Sequence, residues 1–171
     1  LTSRRKPFST TAVTLPASGG DARAFIEVLR PPVRLIICGA GHDAIPVVSF
    51  AAGIGWRVVV VDQRERFLSA DRFPGARSFV QAEPGEAAAK VPIDDRTYVV
   101  VMTHNYFADL RLLPVLLKLN LPYIGLLGPR RRGEQLLREM ADELVPTPEQ
   151  LARLYSPVGL KLGGDTPAAI A

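Results

Sequence analysis

The strongest constraint on the fold is a series of short, uninterrupted apolar runs rich in β-branched residues, each followed by a turn signal and a helix-period segment. VRLIIC (33–38), WRVVVVD (56–62), TYVVVM (97–102) and PYIGLL (122–127) are continuous rather than alternating, as expected of strands covered on both faces. SFVQ (78–81) is a shorter run of the same kind, after an irregular stretch containing FPGA (73–76). Between these runs lie HDAIPVVSFAAG (42–53), YFADLRLLPVLLKLN (106–120) and RRRGEQLLREMADEL (130–144), whose apolar spacing suits helices. Gly53 and Gly55 supply a stop for the first. Strands alternating with helices mean βαβ units, a parallel sheet and right-handed crossovers. The expectation for 33–171 is an α/β fold with a doubly wound, mostly parallel sheet in a Rossmann-like three-layer arrangement.

Residues 1–32 read differently. SRRK at one end and RPP at the other bracket a stretch rich in Thr, Ser, Pro and Gly, read as a tail or linker in which AFIEVL (24–29) packs as a short segment. Of the 171 residues, 47% are hydrophobic and 22% charged, enough for one real core and far from disordered composition. A net charge of +4 suits an anionic ligand or acidic partner without itself indicating nucleic acid, and none is expected. The lone cysteine, Cys38, excludes an internal disulfide and agrees with a reducing compartment. No apolar run is long enough to cross a membrane, so a cytoplasmic protein is expected.

The first βα turn, GAGHDA (39–44), satisfies the dinucleotide fingerprint G-x-G-x-x-G/A. Gly39 permits the tight turn, Gly41 lets backbone approach a phosphate beside Ala40 and His42, and the small Ala44 lets helix and strand pack closely. Asp62 closes the second strand at about the 20-residue spacing where an acid accepts ribose hydroxyls. Two features modify the pattern. Asp43 brings a carboxylate to the helix start, where it competes with an anion, and Pro46 removes an amide donor. In the usual strand order the first and fourth strands are neighbours, so His42 and the Thr103, His104, Asn105 run are expected to face one crevice at the topological switch point. Asn105 and Asp109 also suit helix capping. Gly128 and Pro129 end the fifth strand before Arg130, Arg131 and Arg132. Three cations at a helix start oppose its dipole and call for an anion or an acidic partner. Near the end, Asp165 or Thr166 followed by Pro167 signals a helix start.

Together these segments resemble a known family. CGAGHDAIPVV, WRVVVVDQRERF (56–67), VMTHNYFADLRLL (101–113), YIGLLGPRRR (123–132) and SPVGLKLGGDTPAAIA (156–171) are similar, in order, to the carboxyl-terminal Rossmann-like domain of the XdhC/CoxI family of xanthine dehydrogenase accessory proteins. The resemblance implies a chaperone that binds molybdenum cofactor (molybdopterin), promotes its sulfuration with a cysteine desulfurase, and delivers it to a xanthine dehydrogenase-type molybdenum hydroxylase. The family's amino-terminal region, with its own cysteine and glycine motifs, is absent from this sequence. By position, Gly39, Ala40, Gly41, His42, Asp43, Asp62, Thr103, His104, Asn105, Gly128, Arg130 and Arg131 become candidate ligand contacts, with no catalytic residue and no metal ligand assigned. Two alternatives stay open on the residues alone. One is an NAD-dependent oxidoreductase or other NAD(P)-type dinucleotide binder using the same turn and Asp62, completed by further sequence or a homodimer partner; the other is a basic interaction module.

Overall fold

The computed structural model describes residues 8–17, 20–160 and 166–171. It divides into two compact units, Leu1–Pro32 and Val33–Ala171. In the first, β1 (Phe8–Ala17) pairs antiparallel with β2 (Gly20–Leu29), Phe8 opposite Leu29. Strand thus replaces the expected tail. TTAVTL and AFIEVL are β-branched and near-alternating, and that local preference prevails over the flanking Pro, Gly and Arg. Phe25, Ile26, Val28 and Leu29 are all exposed.

In the second unit, β3 (Arg34–Cys38), β4 (Arg57–Asp62), β5 (Ser78–Gln81), β6 (Thr97–Val101) and β7 (Tyr123–Leu126) join a two-residue β8 (Leu154–Tyr155) in a six-stranded sheet. The order is β5-β4-β3-β6-β7-β8 and every pairing is parallel. Successive residues of each central strand serve opposite faces. Leu35, Ile37, Val58 and Val60 pack beneath α1 (Ala44–Gly53), against Val48, Ala51 and Phe73. Ile36, Cys38, Val59, Val61, Val99 and Val101 pack on the other face against Leu112, Leu113, Leu116 and Leu117 of α3 (Tyr106–Lys118) and Leu136 of α4 (Arg130–Glu139). Both faces are covered, which is why the strands read as unbroken apolar runs.

Short helices complete the unit: α2 (Ala87–Lys90), α5 (Pro148–Leu151) with a Thr147–Gln150 capping box, and α6 (Pro167–Ile170) capped by Thr166. Asp165, the other candidate cap, lies outside the described residues. The third long helix stops at Glu139, short of the expected 144. Among the described residues no helix is long and apolar enough to cross a membrane.

Candidate functional site

The sheet presents the carboxyl ends of β3, β4, β6 and β7 along one edge, and every chemistry-bearing loop leaves from there. Cross-strand hydrogen bonds pin the loop starts. Gly39 N–H donates to the Val61 carbonyl at 2.8 Å, Met102 N–H to Cys38 at 2.8 Å and Leu127 N–H to Val101 at 2.9 Å. β3 and β6 are neighbours, so the crevice opens at the switch point where the strand order reverses.

Gly39 has φ 120°, and a Cβ there would run into the Met102 carbonyl. Only glycine fits that close approach. Ala40 and Ala44 are fully buried, letting α1 start tight against the sheet. Asp43 is the N-cap residue of α1, yet its side chain makes no cap bond. Its carboxylate reaches across the crevice to His104 Nε2 at 2.6 Å, and the pair lies against Gly41. A Cβ on Gly41 would meet Asp43 Oδ1 at 2.8 Å and the His104 ring at 3.5 Å. His104 adopts φ 55°, a left-handed conformation costing on the order of 1–2 kcal/mol for a residue with a side chain. His42 is exposed and lines neither of the two cavities beside the Thr103–Asn105 loop. Its neighbour Asp43 is the residue of this turn whose side chain meets the opposite loop.

The next loop is more polar than the sequence suggests. Thr103 donates its hydroxyl to Asp109, and Asn105 caps α3 by accepting from Phe107 N–H at 3.0 Å and Ala108 N–H at 3.2 Å. Asp109 is not a cap. Buried at 2% exposure, it receives Arg132 Nη2 at 2.6 Å, and the Arg132 guanidinium stands 5.3 Å from the Tyr106 ring centre. Arg132 is therefore the arginine that enters the crevice. Arg130 and Arg131 do not. Arg130 is exposed and pairs with Glu134 one helical turn on, while Arg131 lines an adjoining surface hollow whose wall also includes Tyr106, Arg132, Gln135 and Arg138. Three consecutive helical residues point about 100° apart, so only one of the trio can face inward.

Two cavities flank the Thr103–Asn105 loop. One, of about 180 Å³, is lined by Gly39, Asp62, Arg64, Thr103 and Asn105 among others. The second, of about 370 Å³, is lined by Asp43, Thr103, His104, Asp109, Gly128 and Arg132 among others. In the first, Asp62 is already saturated. Its Oδ2 accepts from Ala40 N–H at 2.7 Å and Arg64 Nη2 at 2.9 Å; its Oδ1 accepts from Arg64 N–H at 2.8 Å and Arg64 Nε at 2.9 Å. Burial pushes the carboxyl pKa up, but the Arg64 side chain and the two backbone amides outweigh it and hold it below the ordinary value. The expected ribose acceptor has thus spent its lone pairs on its own chain.

Arg64 and Arg72 escaped the sequence reading. Arg64 stacks 4.3 Å above the Phe67 ring, with Arg72 4.8 Å and Arg66 5.0 Å from the same ring. Arg72 Nη2 donates to the Ala40 carbonyl at 3.0 Å, inside the glycine turn, and its Nε is buried with no partner. The signal for Arg64 was its place two residues past a strand-ending aspartate. Arg72 carries none, because a loop returns it to the turn. Cys38 is buried, and desolvation, aided by the Asp109 charge, pushes its thiol up to about 12, which makes it inert. Among the described residues no three His, Cys, Asp or Glu side chains gather to hold a metal.

Comparison with known proteins matches residues 35–171 to the XdhC Rossmann domain. The chain belongs to that family. It is 34% identical over 163 residues to a probable xanthine dehydrogenase subunit of Bacillus subtilis, covering 95% of this chain and 47% of that protein. It is 32% identical over 154 residues to the uncharacterized protein YqeB of Escherichia coli, covering 90% of this chain and 28% of that one. The crystal structure of a xanthine dehydrogenase from Bacillus halodurans superposes with a TM-score of 0.73 at 34% identity, over 88% of this chain and 41% of its own. The chain thus spans less than half the length of each of these relatives, and the matched residues 35–171 include the glycine turn, the His104 loop and the Arg132 helix start.

Proposed function

We propose that this chain is the cofactor-holding domain of a cytoplasmic accessory protein. It binds molybdenum cofactor, presents it for sulfuration by a cysteine desulfurase, and passes it to a xanthine dehydrogenase-type molybdenum hydroxylase. Family membership and the names of its relatives support the xanthine dehydrogenase connection. One observation carries the ligand class. Arg64 stands in the wall of the cavity beside Gly39 with donors that Asp62 does not use, and this fits a phosphate-bearing ligand of the kind molybdopterin is.

In this reading the guanidinium of Arg64 holds the phosphate end beside Gly39, while Thr103, His104 and Arg132 orient the heterocycle. The bound cofactor supplies the molybdenum and dithiolene sulfur that the client uses. Cys38, the one cysteine of the sequence, is too deeply buried and too weakly acidic to carry a persulfide, so the role of this chain in sulfuration is to expose the held cofactor to the donor. The saturated Asp62 argues against an NAD-dependent oxidoreductase.

The test is mass spectrometry of the protein purified from a molybdenum-replete host. Molybdopterin is expected in the wild-type protein and absent from Gly41→Leu, whose side chain displaces the Asp43–His104 pair. Tightly retained nicotinamide or flavin dinucleotide without molybdopterin refutes the proposal.

A further inference from the structure

The Asp62–Arg64 pair replaces one kind of ligand recognition by another. In a dinucleotide site a strand-ending carboxylate accepts two ribose hydroxyls, and a neighbouring arginine instead accommodates a phosphate on that ribose. Asp62 has about four lone-pair sites, and the Ala40 amide, the Arg64 amide and two edges of the Arg64 guanidinium take all four. A ribose diol entering here finds no acceptor unless it first strips Arg64 away.

Arg64 is the opposite case. Of its five N–H donors, Nε and one hydrogen of Nη2 are spent on Asp62, which leaves three. Its side chain is 43% exposed and forms part of the wall of the 180 Å³ cavity beside Gly39, Thr103 and Asn105. The Phe67 ring at 4.3 Å supports one face of the guanidinium and limits its swing. Asp62 neutralises one charge only. Among the described residues that line the cavity Arg64 is the one cation, so it is the side chain there able to meet an anion.

We infer that the pocket beside the glycine turn reads a phosphomonoester through Arg64 and discriminates against a ligand offering only a diol there. This rests on the proposal that the crevice binds a phosphate-bearing ligand, and it names the group selected and the residue that selects it. Two sources share that chemistry: a phosphate on a nucleotide ribose, and the terminal phosphate of a pterin side chain.

The experiment titrates the full chain calorimetrically with two matched pairs. One is NADP⁺ against NAD⁺. The other is the oxidised phosphate-bearing pterin derived from molybdopterin against its enzymatically dephosphorylated form. The phosphorylated member of at least one pair is expected to bind at least about tenfold tighter, as befits a charge-assisted, forked contact, and the responding pair identifies the source. Arg64→Ala is expected to bring that ratio to within about twofold without weakening the dephosphorylated partner, because it also frees Asp62. Arg64→Gln serves the same purpose if the alanine variant folds poorly, with circular dichroism as the check. Equal affinities within both pairs, no binding of any of the four, or an unchanged ratio in both variants overturns the inference. If the wild-type protein still retains molybdopterin on purification while the ratios are flat, the inference falls and the functional proposal stands.

Discussion

Removing the Asp109 carboxylate tests whether the crevice is held by a buried ion pair. Asp109 is 3% exposed at its side chain and receives Arg132, itself 25% exposed, at 2.6 Å, together with the Thr103 hydroxyl. Asp109→Ala leaves the half-buried Arg132 guanidinium without its acceptor, while the Thr103 hydroxyl keeps the Asn105 carbonyl. Breaking such a pair from one side costs about 3–5 kcal/mol. The partial exposure of Arg132 lets water recover some of this, which places the expected loss near the lower end, at about 3 kcal/mol. The carboxylate also lies in the first turn of α3, and losing it from the positive end of that helix adds a few tenths of a kcal/mol. For a chain of this size about 3 kcal/mol corresponds to a Tm drop of roughly 6–12 °C. The assay is urea denaturation of wild type, Asp109→Ala, Arg132→Met and the double variant. In the double variant the stranded cation is gone, so its loss should fall short of the sum of the single losses by about 1.5 kcal/mol or more. Additivity within about 0.5 kcal/mol, or a single-variant cost below about 1 kcal/mol, refutes the claim that this pair organises the site.

Three further outcomes are expected. Asn105→Ala removes two hydrogen bonds at the start of α3 and should cost about 1 kcal/mol in the same denaturation assay, with Asn105→Asp retaining most of the stability. Cys38 should resist alkylation in native buffer at pH 8 and react only at the rate of unfolding, so fast labelling of folded protein would contradict its burial and its thiol pKa of about 12. Asp62 has a folded pKa held below its unfolded value, so its stabilisation is present above the unfolded pKa and disappears as pH falls through the folded one. Wild type should therefore lose more stability than Asp62→Asn between pH 6 and about pH 3, and parallel curves would show that the Arg64 bonds contribute nothing.

The sheet was legible because burial on both faces leaves a local trace. A strand such as Arg57–Asp62 has no polar face to keep, so its apolar run is continuous and its ends fall where Arg57 and Asp62 stand. The hairpin left a weaker trace, since its exposed Phe25 and Ile26 sit among Pro, Gly and Arg in a composition that resembles a linker. β8 left almost none. Two residues have no measurable periodicity, and Leu154–Tyr155 is a strand only because β7 offers a free edge.

The site divides along the same line between local and non-local causes. Gly39, Asn105 and Asp62 act through their own turn, cap or strand end, so their positions were readable. What those residues bond to depends on residues brought together by three separate crossovers. Asp43 and His104 are 61 residues apart, Asp109 and Arg132 are 23, and Arg72 reaches Ala40 across 32. No spacing rule covers such pairs. The consequence is chemical as well as structural: a fingerprint that reads as a ribose-binding aspartate and an open phosphate cradle becomes, once folded, an aspartate committed to Arg64 and a glycine covered by an Asp43–His104 pair. Of Asp62 and Arg64 only Arg64 keeps unspent donors on the cavity wall, and that is the physical ground for the proposed shift in recognised group from a diol to an anion.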